Sequence, residues 1–247
     1  MAIEMARRLR DGELAIMGAV SLIPQCACRM AQLSTAPSLS WIVGGSGAVR
    51  PQGLSISSCD QRLIGSAVTS LPLPEVILLE GRGDAIDVFF AGGLQIDVHG
   101  NCNLTAVGDW TKPRLRGPGG VGLPFLPRAG RVFIYTTSHN RRTFVEHADF
   151  VSGPGFVSGP EQWRGKSWPG SGPALVVTPL ATMDFDPDSL RMRLVSVHGG
   201  VEMEQVLEAT GFELEGVASA SVTPPPTQDE LAALDAADPD HLLRDLP

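Results

Sequence analysis

Apolar positions in the first hundred residues alternate between helical and strand spacing. In residues 2–10, Ile3, Met5, Ala6 and Leu9 fall at helical intervals, and Asp11-Gly12 closes the segment as a turn. Residues 13–17 read as a short strand before Gly18, Pro24 opens a second helix to Leu33, and residues 39–43 form a second buried strand. That strand runs into Gly44-Gly45-Ser46-Gly47. Open α/β folds carry reactive loops where a strand meets such a cluster, at the carboxyl edge of the sheet. Residues 86–91 repeat the arrangement and lead into Gly92-Gly93-Leu94-Gln95-Ile96-Asp97, while residues 131–136 and 174–177 continue the strand series.

Residues 113–127 hold too much glycine and proline for regular structure, and a long loop in a compact domain is more often functional than idle. Val151-Ser152-Gly153-Pro154 recurs as Val157-Ser158-Gly159-Pro160, too short a period for a solenoid, so it reads as turn chemistry. Residues 203–210 form a helix stopped by Gly211, and Pro224-Pro225-Pro226 is a stiff spacer. Thr227 and Glu230 then make a capping box ahead of Leu231 and Leu234. Together these elements predict an α/β fold, an open mixed or parallel sheet flanked by helices, in a single domain over residues 1–247.

Composition narrows the function. The chain is 43% hydrophobic and 19% charged with a formal net charge of −8, an ordinary globular balance that argues against nucleic acid and other polyanionic partners. No apolar run approaches the roughly 20 residues of a membrane span. Asp11, Gly12 and Glu13 interrupt any signal-peptide pattern after Arg7, Arg8 and Arg10, so a cytoplasmic location is expected. Cys26, Cys28, Cys59 and Cys102 are too few and scattered for a disulfide framework and read as small buried apolar residues, with no metal site. Neither a Ser-His-Asp order, a phosphate-loop lysine nor Gly-x-Gly-x-x-Gly is present, and the five histidines lie far apart.

One long string carries more. Ala91-Gly92-Gly93-Leu94-Gln95-Ile96-Asp97-Val98-His99-Gly100-Asn101-Cys102-Asn103, then Gly108-Asp109-Trp110 and Lys112-Pro113-Arg114, resembles the segment G-G-A-Q-I-D-x-x-G-N-x-N…G-D-Y…P-K-x-R of glutaconate-type CoA-transferase B subunits. Further matches follow at His139-Asn140-Arg141-Arg142, Asp149-Phe150-Val151-Ser152-Gly153-Pro154-Gly155, Trp168-Pro169-Gly170 and Thr210-Gly211-Phe212-Glu213-Leu214. The resemblance implies an active site shared with a homologous A subunit, an A2B2 tetramer, and coenzyme A as part of the substrate with no bound cofactor. It also implies a glutamate nucleophile in a strand-end E-S-G motif. Here Ser46-Gly47 matches S-G, and the position of the glutamate is Gly45. Glycine can form neither an anhydride nor a glutamyl thioester, so ordinary covalent transfer through this position is excluded.

The departure resembles two branches of the family, a decarboxylase of glutaconyl-type CoA esters and a ring-opening hydrolase of steroid catabolism. Loss of the carboxylate is expected to leave a void at the thioester that admits water or a larger acyl group. Glu75 and Glu80 are the nearest later acids, with Glu80 before a strand-leading turn. The candidate catalytic positions are Gly45, Ser46, Gly92, Gly93 and Gln95. Gly92 and Gly93 either offer backbone N–H groups to the thioester oxygen or only permit a tight strand exit, and Gln95 either orients a substrate carbonyl or bonds its own loop. Gly47, Asn101, Arg114, Arg116, Gly119 and Gly120 are the candidate substrate and CoA contacts, although Asn101 and Asn103 equally serve a turn and Cys59 reads as core.

Overall fold

The computed structural model describes residues 1–245, which divide into two compact units: residues 1–90 with the chain from Pro225 on, and Ala91–Pro224. The first unit runs α1 (Ala2–Ala6), β1 (Leu14–Met17), α2 (Leu22–Leu33), β2 (Ser40–Val43), β3 (Ala48–Val49), α3 (Gln61–Ser66), β4 (Thr69–Ser70), α4 (Leu73–Gly81) and β5 (Val88–Ala91). Its strands lie in the order β5-β1-β2-β3-β4. β1 is parallel to both β2 and β5, whereas β3 and β4 turn back antiparallel. All four residues of β5 are buried and only the first residue of β1 and of β2 is not, the continuous apolar pattern of parallel strands covered on both faces.

Helix α2 begins at Leu22, two residues before the expected Pro24. The first helical turn has no intrahelical acceptor for its N–H groups, so a proline there costs nothing and does not mark the start. Its buried Gln25 accepts from Ser55 N at 3.1 Å and donates to Ser55 O at 3.0 Å, fixing the segment that follows β3. Helix α1 ends at Ala6, shorter than its pattern predicts, with Arg7 as C-cap. Arg7 pairs with both carboxylate oxygens of Glu230 at 2.6 and 2.8 Å, and Glu230 also closes the expected capping box with Thr227 on the helix Gln228–Ala237. Glu80 lies near the end of α4, ahead of the turn that leads into β5. It is buried, its Oε2 has no partner among the described residues, and burial pushes its carboxyl up to about 7.

The second unit adds β6 (Gln95–Asp97), β7 (Cys102–Asn103), β8 (Ala106–Val107), β9 (Leu115–Arg116), β10 (Arg131–Tyr135), β11 (Phe144–Val145), α5 (Pro160–Arg164), β12 (Pro173–Val177), β13 (Ala181–Phe185), β14 (Met192–Val197), α6 (Met203–Ala209) and β15 (Ser221–Val222). One group of strands has the order β15-β14-β13-β12-β10, with β10 parallel to β12 and the β12-β13-β14 run antiparallel. A small sheet has the order β11-β6-β7, and β8 with β9 forms a hairpin. Residues 113–127 are not wholly irregular, because they contain β9 and most of a 3-10 helix, Leu123–Arg128. Pro124 stands in the first turn of that helix, where its missing N–H is harmless. The whole is an α/β protein with a mixed sheet, as the element order predicts. Among the described residues no helix is long and apolar enough to cross a membrane.

Candidate active site

Gly44 donates to Met17 O at 2.8 Å, which extends the β1–β2 ladder by one bond before the chain turns. Ser46 and Gly47 N–H both return to Val43 O, at 3.2 and 2.8 Å. Gly47 has φ +67°, and a Cβ there would run into the Leu71 carbonyl, so glycine is required. Ser46 Oγ accepts from Ala48 N at 3.3 Å within the same turn. Gly45 is the exposed apex, and its N–H finds no partner among the described residues. A Cβ at 45 would collide with Ser58 Oγ, which must rotate aside to admit it, and would stand 3.1 Å from Cys59 Sγ. In place of the expected void stands the Ser58 hydroxyl, on a segment anchored by Gln25 at Ser55 and by the Asp60 cap of α3. Cys59 itself is exposed and not core, unlike Cys26, Cys28 and Cys102, which are buried with thiols that burial pushes up.

At the second glycine turn, β5 leads into Gly92 and Gly93. A Cβ on Gly92 would lie 2.9 Å from Tyr135 O, and one on Gly93 would lie 2.7 Å from Gln95 O and 2.9 Å from Asn103 O. Close backbone approach explains both glycines. The N–H groups of Gly92 and Gly93 have no partner among the described residues, and both residues are half-exposed. Two unspent donors on a turn too tight for side chains suit an oxyanion.

The amides nearby are spent on their own loops. Gln95 Oε1 accepts from Asn103 Nδ2 at 2.7 Å and Asp149 N at 3.1 Å, and its Nε2 donates to Asp149 Oδ2 at 3.0 Å. Asn101 donates to Asp97 Oδ2 and Val157 O, each at 2.8 Å, and accepts from Gly155 N at 2.8 Å. Asn103 Oδ1 accepts from Thr105 N and Ala106 N. Burial raises the Asp97 carboxyl against the pull of Asn101 and of His99 N–H. Asp97 and Asn101 line a cleft of about 430 Å³ together with His99, His147 and Gln162. His99 Nδ1 lies 2.8 Å from Leu190 O, which assigns the proton to Nδ1.

Arg114 and Arg116 stand exposed on the β8–β9 hairpin, with the Arg116 guanidinium 4.7 Å from the centre of the Trp110 ring. Gly119 has φ +94° and donates to Leu104 O at 3.0 Å, while Gly120 O accepts from Leu123 N to start the 3-10 helix.

Residues 1–209 match the family described as Coenzyme A transferase. The chain belongs to that family. Over 96% of its length it is 32% identical to the B subunit of 3-oxoadipate CoA-transferase from Pseudomonas knackmussii, covering 90% of that protein. It is 29% identical to the cholesterol ring-cleaving hydrolase IpdB subunit of Rhodococcus jostii, with 86% of this chain and 80% of that one covered. Among solved structures, glutaconate coenzyme A-transferase of Acidaminococcus fermentans superposes with a TM-score of 0.86 at 27% identity, covering 100% of this chain and 96% of that one.

In this coenzyme A transferase family chain, both glycine turns fall inside the matched residues. Sequence reasoning missed Ser58 and Cys59 as neighbours of Gly45. The available signal was Asp60 followed by Arg62 and Leu63, a helix cap that places the residues just before it in a tight turn.

Proposed function

We propose that the chain is the B subunit of a heteromeric enzyme that acts on an acyl-CoA thioester by hydrolysis, C–C bond cleavage or decarboxylation. The observation that carries this is glycine at position 45, where the resemblance places the glutamate. Glycine supplies no nucleophile, and the Ser58 hydroxyl stands where a side chain would begin. What remains at the glycine turns is electrostatic: the free N–H groups of Gly92 and Gly93 hold the thioester oxygen as negative charge builds on it. Ser46 and Gly47 keep the turn, Gln95 and Asn101 brace the loops, and Arg114, Arg116, Gly119 and Gly120 form the coenzyme A side. A homologous A subunit supplies the base, in an A2B2 assembly, and the free buried thiols suit a reducing cytoplasm. The cholesterol ring-cleaving hydrolase relative supports the non-transferase chemistry.

A second reading is true CoA transfer through another acid, and the near full-length similarity to the 3-oxoadipate CoA-transferase relative favours it. Intact-mass spectrometry of the complex with its homologous partner, after incubation with candidate acyl-CoAs, separates the two. The proposal expects acyl-CoA consumption without an acceptor acid and no CoA adduct on this chain. An adduct mapped to Glu75, Glu80 or any other acid restores transfer, and turnover that needs nothing from this chain leaves it a non-catalytic subunit.

A further inference from the structure

Two aromatic side chains of the second unit stand stacked in the open. The Trp110 and Phe150 rings lie 5.1 Å apart at 19°, and their contact still leaves Trp110 55% and Phe150 36% accessible. Single apolar residues on a surface need no explanation, but two rings locked face to face keep a continuous apolar surface in water. The loops that carry them are fixed through one carboxylate. Asp149 Oδ2 accepts from Gln95 Nε2 at 3.0 Å and from Gly108 N at 2.7 Å, and Asp149 N donates back to Gln95 Oε1 at 3.1 Å. Phe150 follows Asp149 directly and Trp110 stands two residues beyond Gly108, so that carboxylate sets both rings. The Arg116 guanidinium, 4.7 Å from the centre of the Trp110 ring, braces the pair further.

Gln95 also ties this surface to the second glycine turn. It lies two residues beyond Gly93, and its Oε1 accepts from Asn103 Nδ2 at 2.7 Å. The Asn103 carbonyl in turn accepts from Leu94 N at 2.7 Å and would stand 2.9 Å from a Cβ on Gly93. One amide side chain thus separates the unspent N–H groups of Gly92 and Gly93 from the aromatic pair. Where the resembling CoA-transferase segment reads G-D-Y, this chain reads Gly108-Asp109-Trp110, which exchanges a phenol for a larger apolar face.

We infer that Trp110 and Phe150 receive the acyl group of the substrate, and that this group carries an apolar ring rather than a short open chain. The inference rests on the acyl-CoA reading above. A thioester held by its oxygen at Gly92 and Gly93 places the acyl substituent beside Gln95, and a ring there covers the exposed aromatic surface and is itself removed from water. Neither side chain takes part in bond making. They select the acyl group and hold it.

The experiment is calorimetric titration of the complex with its homologous partner, using two stable thioethers, S-benzyl-CoA and S-methyl-CoA, which differ only by the ring. S-benzyl-CoA is expected to bind about tenfold more tightly than S-methyl-CoA. The variants W110A and F150A are each expected to remove most of that difference and to leave S-methyl-CoA affinity in place, whereas W110F retains most of it. A preference for S-benzyl-CoA that survives in both alanine variants overturns the inference. So does an equal loss of both ligands, which makes the pair a brace for its loops, and so does dissociation of either variant complex into subunits, which gives the pair to the partner chain. Equal affinities in the parent complex overturn this inference alone, but a parent complex that binds neither thioether sinks the acyl-CoA reading with it.

Discussion

At Gly45 the nearest neighbours of a side chain would be Ser58 and Cys59. Ser58 is buried on one side of the turn, and its hydroxyl occupies the place a methyl group would need. Gly45→Ala is therefore expected to lower stability by about 1–3 kcal/mol, the usual cost of forcing a methyl into a filled site. Ser58→Gly in the same background should recover most of that loss, and urea unfolding of the four members of the cycle measures the coupling. Additive single effects would show that Ser58 does not set the choice of glycine. Gly45→Glu meets the same hydroxyl, which must turn aside before a glutamate fits there. Position 45 was legible from the Ser46-Gly47 match, but its neighbour was not, because Ser58 is thirteen residues further along the chain.

His139 joins separate elements. Its Nδ1 lies 2.8 Å from Thr178 Oγ1 just after β12, and its Nε2 lies 3.0 Å from Thr210 Oγ1 at the C-cap of α6. Burial lowers this imidazole from its ordinary 6.5 to about 4, so the folded protein holds it neutral. Below pH 6.5 the unfolded chain takes up a proton that the folded chain refuses, and the His139 contribution is lost as pH falls from 6.5 towards 4. Glu80 acts in the opposite sense: its raised carboxyl keeps its proton, and stability is lost as pH rises from 4.5 to about 7. H139Q is expected to flatten the acid limb of stability and E80Q the neutral limb, read from urea midpoints across pH 4–8. Curves parallel to the parent would assign the pH dependence to other groups. At this scale residues 113–127 misled, because glycine and proline content does not exclude a 3-10 helix whose proline lies in its first turn.

For the molecule as a whole, the expectation concerns partnership. Ile56, Ile64, Val68, Leu73 and Leu78 all stand exposed in the first unit, with Val68 and Leu78 each 70% accessible. Large apolar groups crowded into so short a stretch favour burial against another chain. Produced alone, the chain is expected to self-associate and to leave acyl-CoA untouched. Co-expressed with its homologous partner, it should elute from size exclusion as a heteromer with activity. A stable, fully active monomer would remove the need for a shared site.

The sequence by itself determined the α/β alternation, the two glycine turns, the Thr227 cap and the absence of a carboxylate at position 45. Each of these is local, written in the period of apolar residues, in a helix start signal or in one contiguous string. Only the tertiary structure decided that the Ser58 hydroxyl stands where a side chain at position 45 would begin, and that Gln95 and Asn101 spend their amides on Asp149, Asp97 and nearby backbone. These pairings join residues far apart along the chain, and they follow from strand register and segment packing, which residue spacing does not encode.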